Sequence, residues 1–202
     1  MSKQPAFCRP LLMPRLFPIF AAMLLAATLL GSCTTGQVTN YVREGADLTF
    51  VKKIAIMPFE NNSKEKFAPG RVRNVVVTQI LVDKLFDVTE VGQLEKVLEE
   101  EANKNATSLD ETTARRIGKR LSVQAFLLGA VDEYDVERKS SYSYPKMAMT
   151  LRLMDAETGI ILWQASGSDS GYSSVNRILG NEGSNETEVT FALVRKLLAS
   201  LK

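Results

Sequence analysis

The chain has 202 residues, 25 basic against 23 acidic, with two cysteines and no histidine. The missing histidine excludes Cys-His and Ser-His-Asp catalysis and histidine-ligated metal sites. Neither a GxxxxGK[ST] phosphate loop nor a GxGxxG turn occurs, and the near balance of charge argues against a basic nucleic-acid surface.

Met1 to Arg15 carry Lys3, Arg9 and Arg15 and no acidic residue. Leu16 to Leu30 is apolar apart from Thr28, and Gly31 and Ser32 are small. This is the order of a secretory signal. The apolar run is short for a membrane span, which takes about 20 residues. Pro5, Pro10, Pro14 and Pro18 argue against a buried core helix. Without residues 1–32 the remaining 170 hold 22 basic and 23 acidic residues and one cysteine, Cys33. That length suffices for one domain with a proper core, and a disulfide within it is impossible.

Thr34 to Leu48 is short and polar and reads as a tether, so residues 33–48 are expected to lead into a domain of residues 49–202. Val51 to Phe59, VKKIAIMPF, is a strand with Ile54, Ile56 and Pro58 on one face and Lys53, Ala55 and Met57 on the other. Glu60 to Gly70 is a loop. From Arg71 to Phe86 the helical spacing of Val72, Val76 and Ile80, with Val77, Leu81 and Leu85 beside them, predicts a helix. FDVTEV is a short strand, and Gly92 to Ala102 a second helix with Leu94, Val97 and Leu98 inward. Ser108 and Glu111 have capping-box spacing before a third helix carrying Ala114, Ile117 and Leu121.

QAFLLGAVDEYDVE and PKMAMTLRLMD are strands, the second with Met147, Met149, Leu151 and Leu153 on one face. DAETG, Asp155 to Gly159, is a hairpin turn with glycine at a positive-φ position, and IILWQASGS the returning strand. After a Gly/Ser/Asn-rich loop, Asp169 to Asn185, a last helix starts near Glu186 with Thr190, Leu193, Val194, Leu197 and Leu201 as its stripe. The order β-α-β-α-α-β-β-β-α predicts an α/β sandwich, close to three-layered. Its mixed sheet ends in an antiparallel meander with helices packed on it.

Leu30-Gly31-Ser32-Cys33 resembles the lipobox of bacterial lipoproteins. The resemblance implies cleavage before Cys33, a diacylglycerol on its sulfur and an acyl chain on its new amine, with no other cofactor. Thr34, where inner-membrane lipoproteins often carry Asp, favours the outer membrane. Four phrases, KKIAIMPFENNS, LEKVLEE, ARRIGKRLSVQAFLLGAVDEY and LRLMDAETGIILW, are together similar to the curli-secretion lipoprotein (CsgG-like) superfamily, which includes the LpoB-like activators of peptidoglycan synthases. The resemblance spans Lys52 to Trp163. It implies a non-enzymatic lipoprotein at the periplasmic face of the outer membrane. Such a protein is held there by its lipid and binds an envelope protein or copies of itself, with neither nucleic acid nor a small-molecule substrate. A penicillin-binding protein activator or secretion accessory fits this length. The alternative is a subunit of a curli-type oligomeric secretion channel. That needs two membrane hairpins, for which Asp135 to Lys146 and Gly167 to Asn185 offer too little alternating apolar sequence.

Candidate contact residues are few. Glu60, Asn61, Asn62 and Ser63 follow a strand end, where α/β proteins often place ligands; ordinary turn chemistry is the simpler reading. Trp163 is equally an interface anchor or sheet packing. Tyr142 and Tyr144, in what reads as a polar loop, suit partner contact. Glu99 to Glu101 is a solvated helix face, and Asp132 and Glu133, adjacent on a strand, point to opposite faces. The Asn-x-Ser/Thr triplets at Asn61, Asn105 and Asn185 are expected to stay unmodified in a bacterial lipoprotein.

Overall fold

The computed structural model describes residues 37–101, 110–139, 142–172 and 183–201. The signal segment, Cys33, Asn105 and Ser108 lie outside the described residues. Among the described residues, seven strands and four helices follow in chain order: β1 (Gln37–Val42), β2 (Lys53–Ile56), β3 (Glu60–Asn61), α1 (Ala68–Val82), β4 (Asp87–Val88), α2 (Val91–Glu100), α3 (Glu111–Leu121), β5 (Ala125–Lys139), β6 (Tyr142–Asp155), β7 (Ile161–Ser170) and α4 (Glu186–Leu198), with a 3-10 turn at Ala199–Leu201. The strands form one sheet in the order β1-β7-β6-β5-β2-β4, and β3 lies beside β5 beyond the end of β2. The pairs β2·β4, β2·β5 and β3·β5 are parallel; β5·β6, β6·β7 and β1·β7 are antiparallel. The expected mixed sheet with an antiparallel meander is therefore present.

Period-two alternation divides the core between two faces. Ile54, Ile56, Leu127, Met147, Met149, Leu151 and Leu153 pack under α1 and α4. Ala55, Met57, Phe126, Leu128 and Met154 pack under α2 and α3. α3 buries Ala114, Ile117 and Leu121 at helical spacing, each large side chain contributing about 1.5–3 kcal/mol on leaving water. Helix ends follow local chemistry. Asn185 caps α4 in a reciprocal box with Glu188, and Asp110 caps α3 by accepting from the Thr113 N–H at 2.8 Å. The N-cap of α3 is thus the carboxylate of Asp110. In the turn after β6, Gly159 takes the expected positive φ of 69°, while the Asp155 carboxylate accepts from the N–H groups of Glu157 and Thr158.

Three expectations need correction. Gln37–Val42, read as tether, pairs residue for residue with β7 and forms the sheet edge. Its polarity misleads because an edge strand over a single helix buries little: only Val38 and Tyr41 carry apolar or aromatic side chains before Val42, and Tyr41 is exposed. The helix expected to reach Phe86 ends at Val82, because Lys84 adopts a left-handed φ of 52°. Leu81, placed on its stripe, is 53% exposed. Tyr142 and Tyr144 belong to a strand, not a loop, since β5 and β6 continue pairing outward to Lys139↔Tyr142.

Candidate interaction surfaces

The loop Glu60 to Ser63 is folded onto its own chain. Asn61 Oδ1 accepts from the Ser63 N–H at 3.0 Å and the Ser63 hydroxyl at 2.8 Å, and Asn61 Nδ2 donates to the Glu65 carbonyl. Asn62 Nδ2 donates to Asp132 Oδ1 at 3.0 Å. Glu60 is exposed. Asp132 reaches two neighbours because a bulge between Val131 and Glu133 takes it out of the strand register. Its other oxygen accepts from Thr150 Oγ1 at 3.1 Å, and Thr150 meets Ser166 Oγ at 3.0 Å. A polar chain Asn62–Asp132–Thr150–Ser166 therefore crosses the sheet from β5 to β7. Sequence reading missed this chain, because a bulge has no reliable signature in one sequence.

Beyond the bulge, β5 and β6 run on as a two-stranded ribbon from Glu133↔Ala148 to Lys139↔Tyr142, with β7 beside β6 only as far as Lys146↔Ser170. Three tyrosines cluster on it. Tyr142 and Tyr144 stack with ring centres 6.2 Å apart, and Tyr172 meets Tyr144 edge-on at 5.2 Å. Tyr144 is buried, and its burial, reinforced by the Glu137 charge, holds its hydroxyl above the usual phenol range. Lys146 pairs with Glu133 at 3.0 Å.

Trp163 is fully buried, and its Nε1 donates to Ser200 Oγ at 3.0 Å. The sheet-packing reading is the one its position matches; a surface anchor is not available there. It lies away from the tyrosines, level with Val42 on β1 and Leu153 on β6.

Glu100 and Glu101 are not a free solvated face. Glu101 bonds both Arg116 and Arg120 of α3, and Glu100 bonds Arg120. The hydrogen bonds from Arg120 and then Arg116 lower the Glu101 carboxyl from its ordinary value. On the other face of the sheet, half-buried Arg73 donates through Nε and Nη2 to the Ile56 carbonyl at 3.0 and 2.6 Å, closing the end of β2. Burial lowers its pKa, with the nearby Glu95 opposing. These are structural pairings, and among the described residues no group of His, Cys, Asp or Glu is placed to hold a metal ion.

The opposite end of the sheet, where β2, β5 and β7 begin and β1 and β6 finish, is different. Val42, Phe50, Leu81, Val82 and Ile160 are exposed there. A concavity of about 300 Å³ is lined by Phe50, Arg115, Lys119, Gln124 and Glu157 among others. A second, of about 380 Å³, is lined by Lys52, Leu81, Lys84 and Phe86 among others. Apolar residues ringed by long cationic side chains suit protein contact better than a small ligand. Sequence reading placed Leu81 on a helix stripe and passed over Phe50, since exposure at an element's end is set by where the chain turns.

Among the described residues no helix is long and apolar enough to cross a membrane. No curated protein sequence matches the chain. Several solved structures share its fold. PelC from Paraburkholderia phytofirmans, crystallised as a dodecamer, is 20% identical with TM-score 0.58, covering 82% of this chain and 96% of PelC. Lipoprotein GNA1162 from Neisseria meningitidis is 18% identical with TM-score 0.54, covering 74% and 97%. The C-terminal domain of LpoB from Salmonella enterica is 14% identical with TM-score 0.46, covering 75% and 92%. Of the branches named from the sequence, the LpoB-like one carries the family match: residues 23–168 fit the model of the peptidoglycan-synthase activator LpoB, and the chain belongs to that family.

Proposed function

We propose that this chain is an outer-membrane lipoprotein, acylated at Cys33, whose periplasmic α/β domain binds and activates a peptidoglycan synthase of the penicillin-binding class. The family match over residues 23–168 carries the reading, and the family is one of activators rather than enzymes. The Leu30-Gly31-Ser32-Cys33 motif behind a signal-like segment supports the anchor. Three acyl chains hold far more firmly than one, at about 0.8 kcal/mol per buried CH₂. The exposed Phe50, Leu81, Val82 and Ile160, at the end of the sheet opposite the start of β1, form the partner face.

The channel alternative gains nothing from the ribbon. A spanning hairpin needs strands of about 9–11 residues with an apolar outer face. Past the bulge, β5 offers Glu133 to Lys139, in which only Tyr134 and Val136 are uncharged.

Two measurements test the proposal. Cys33→Ala should leave the membrane fraction in fractionated cells; full recovery in the outer membrane sinks the anchor. Crosslinking in intact cells should capture a penicillin-binding protein; capture of only further copies of this chain sinks the activator reading and revives a ring.

A further inference from the structure

We infer that the outer end of the β5–β6 ribbon rests on the phospholipid headgroups of the bilayer that holds Cys33. The inference depends on the acylation proposed above. Strand β1 begins at Gln37, so four residue steps separate its first Cα from that of Cys33, about 14 Å at full extension. The level of Gln37 on the sheet is fixed: it pairs with Ser168, which pairs with Ala148. From Ala148 the ribbon continues six residues outward to Tyr142, about 20 Å. An acyl anchor that leaves along the strand direction therefore reaches no farther than the ribbon does. A domain held this closely meets the bilayer with the ribbon first.

The composition of the ribbon matches that position. Its acidic residues Glu133, Asp135 and Glu137 precede the exposed Arg138, so the strand turns cationic toward its outer end. Val136 is half exposed, and Tyr142 stacks on Tyr144 at the same end. Tyrosine and arginine are the side chains that settle at headgroup level, with apolar bodies and polar tips. The remaining length is too short and too charged to cross, so the contact is with the surface.

The test uses the full acylated chain, reconstituted into phosphatidylethanolamine/phosphatidylglycerol vesicles. A fluorophore is placed at Ser143→Cys on the ribbon or at Thr49→Cys on the far end. Quenching by headgroup-nitroxide lipid is then compared. At least about twofold stronger quenching at position 143 is expected, as for a residue at the interface. Equal quenching in protein that floats with the vesicles and carries the acyl mass on Cys33 overturns the ribbon contact alone. Crosslinking of position 143 to position 143 of another copy, without lipid quenching, also overturns it in favour of self-association. Protein that neither floats nor carries the acyl mass overturns the anchor, and the ribbon contact with it.

Discussion

Asp169 on β7 and Lys196 on α4 form an ion pair, Nζ to Oδ2 at 2.6 Å, with the Asp169 side chain only 6% exposed. The pair ties the last helix to the sheet just where β7 stops supporting the ribbon. Lys196→Met keeps the apolar stem and leaves the carboxylate without this partner. A loss of about 1–3 kcal/mol is expected in chemical denaturation, larger than an exposed ion pair would give.

Trp163 is a core residue, so Trp163→Ala should cost about 3–5 kcal/mol of stability through the cavity it leaves. Ser200→Ala, which removes the acceptor for the indole N–H and the hydroxyl that donates to the Leu197 carbonyl, should cost less, about 1–2 kcal/mol. Denaturant titration of both variants checks the order. Near-native stability for Trp163→Ala would be incompatible with the packing described.

The lowered Glu101 carboxyl gives a pH dependence of definite sign. Its folded pKa lies below its unfolded value of about 4.3. The stability it supplies is therefore complete above that value and is lost as pH falls through the folded one. Glu101→Gln should melt below the parent at neutral pH, and the gap should close as pH drops below about 4. Melting temperatures of the two chains between neutral and acid pH measure it.

Gly129 lies under the Phe59 ring, where an added Cβ would come within 2.6 Å of Phe59 Cδ1. Gly129→Ala should destabilise by about 1–3 kcal/mol through overpacking. Combining it with Phe59→Leu should cost less than the sum of the two single changes, because the smaller side chain yields the space. A double-mutant cycle on unfolding free energies decides this.

Leu81→Ser with Val82→Ser alters two exposed positions at the end of α1. Stability should move by no more than about 1 kcal/mol. Crosslinked capture of the synthase should fall sharply if this end is the partner face. Unchanged capture would place the partner elsewhere.

The candidate contacts divide by range. Asn61 with Ser63 is a local turn, and the sequence order alone suggested it. Asn62 with Asp132 spans 70 residues and depends on a bulge that one sequence does not announce. Tyr142 and Tyr144 lie on a strand and not in a loop; a ribbon standing out from a sheet lacks a fully apolar face and so looks like a loop in sequence. Trp163 was ambiguous until α4 and the 3-10 turn were seen to cover it.

What the sequence determined by itself is what short-range pattern encodes. The expectation of a signal-like leader and a lipobox rests on such pattern alone, as does the exclusion of histidine chemistry. The helical stripes of α1 to α4 are legible there apart from Leu81 and Leu201, as is the alternation of Met147, Met149, Leu151 and Leu153. Only the tertiary structure decided that Gln37–Val42 closes the sheet, that Glu100 and Glu101 serve α3, and that the ribbon and the exposed end of α1 lie at opposite ends. Those relations are set by strand order and register, which depend on pairings between residues far apart in the chain. Local propensity carries no record of them.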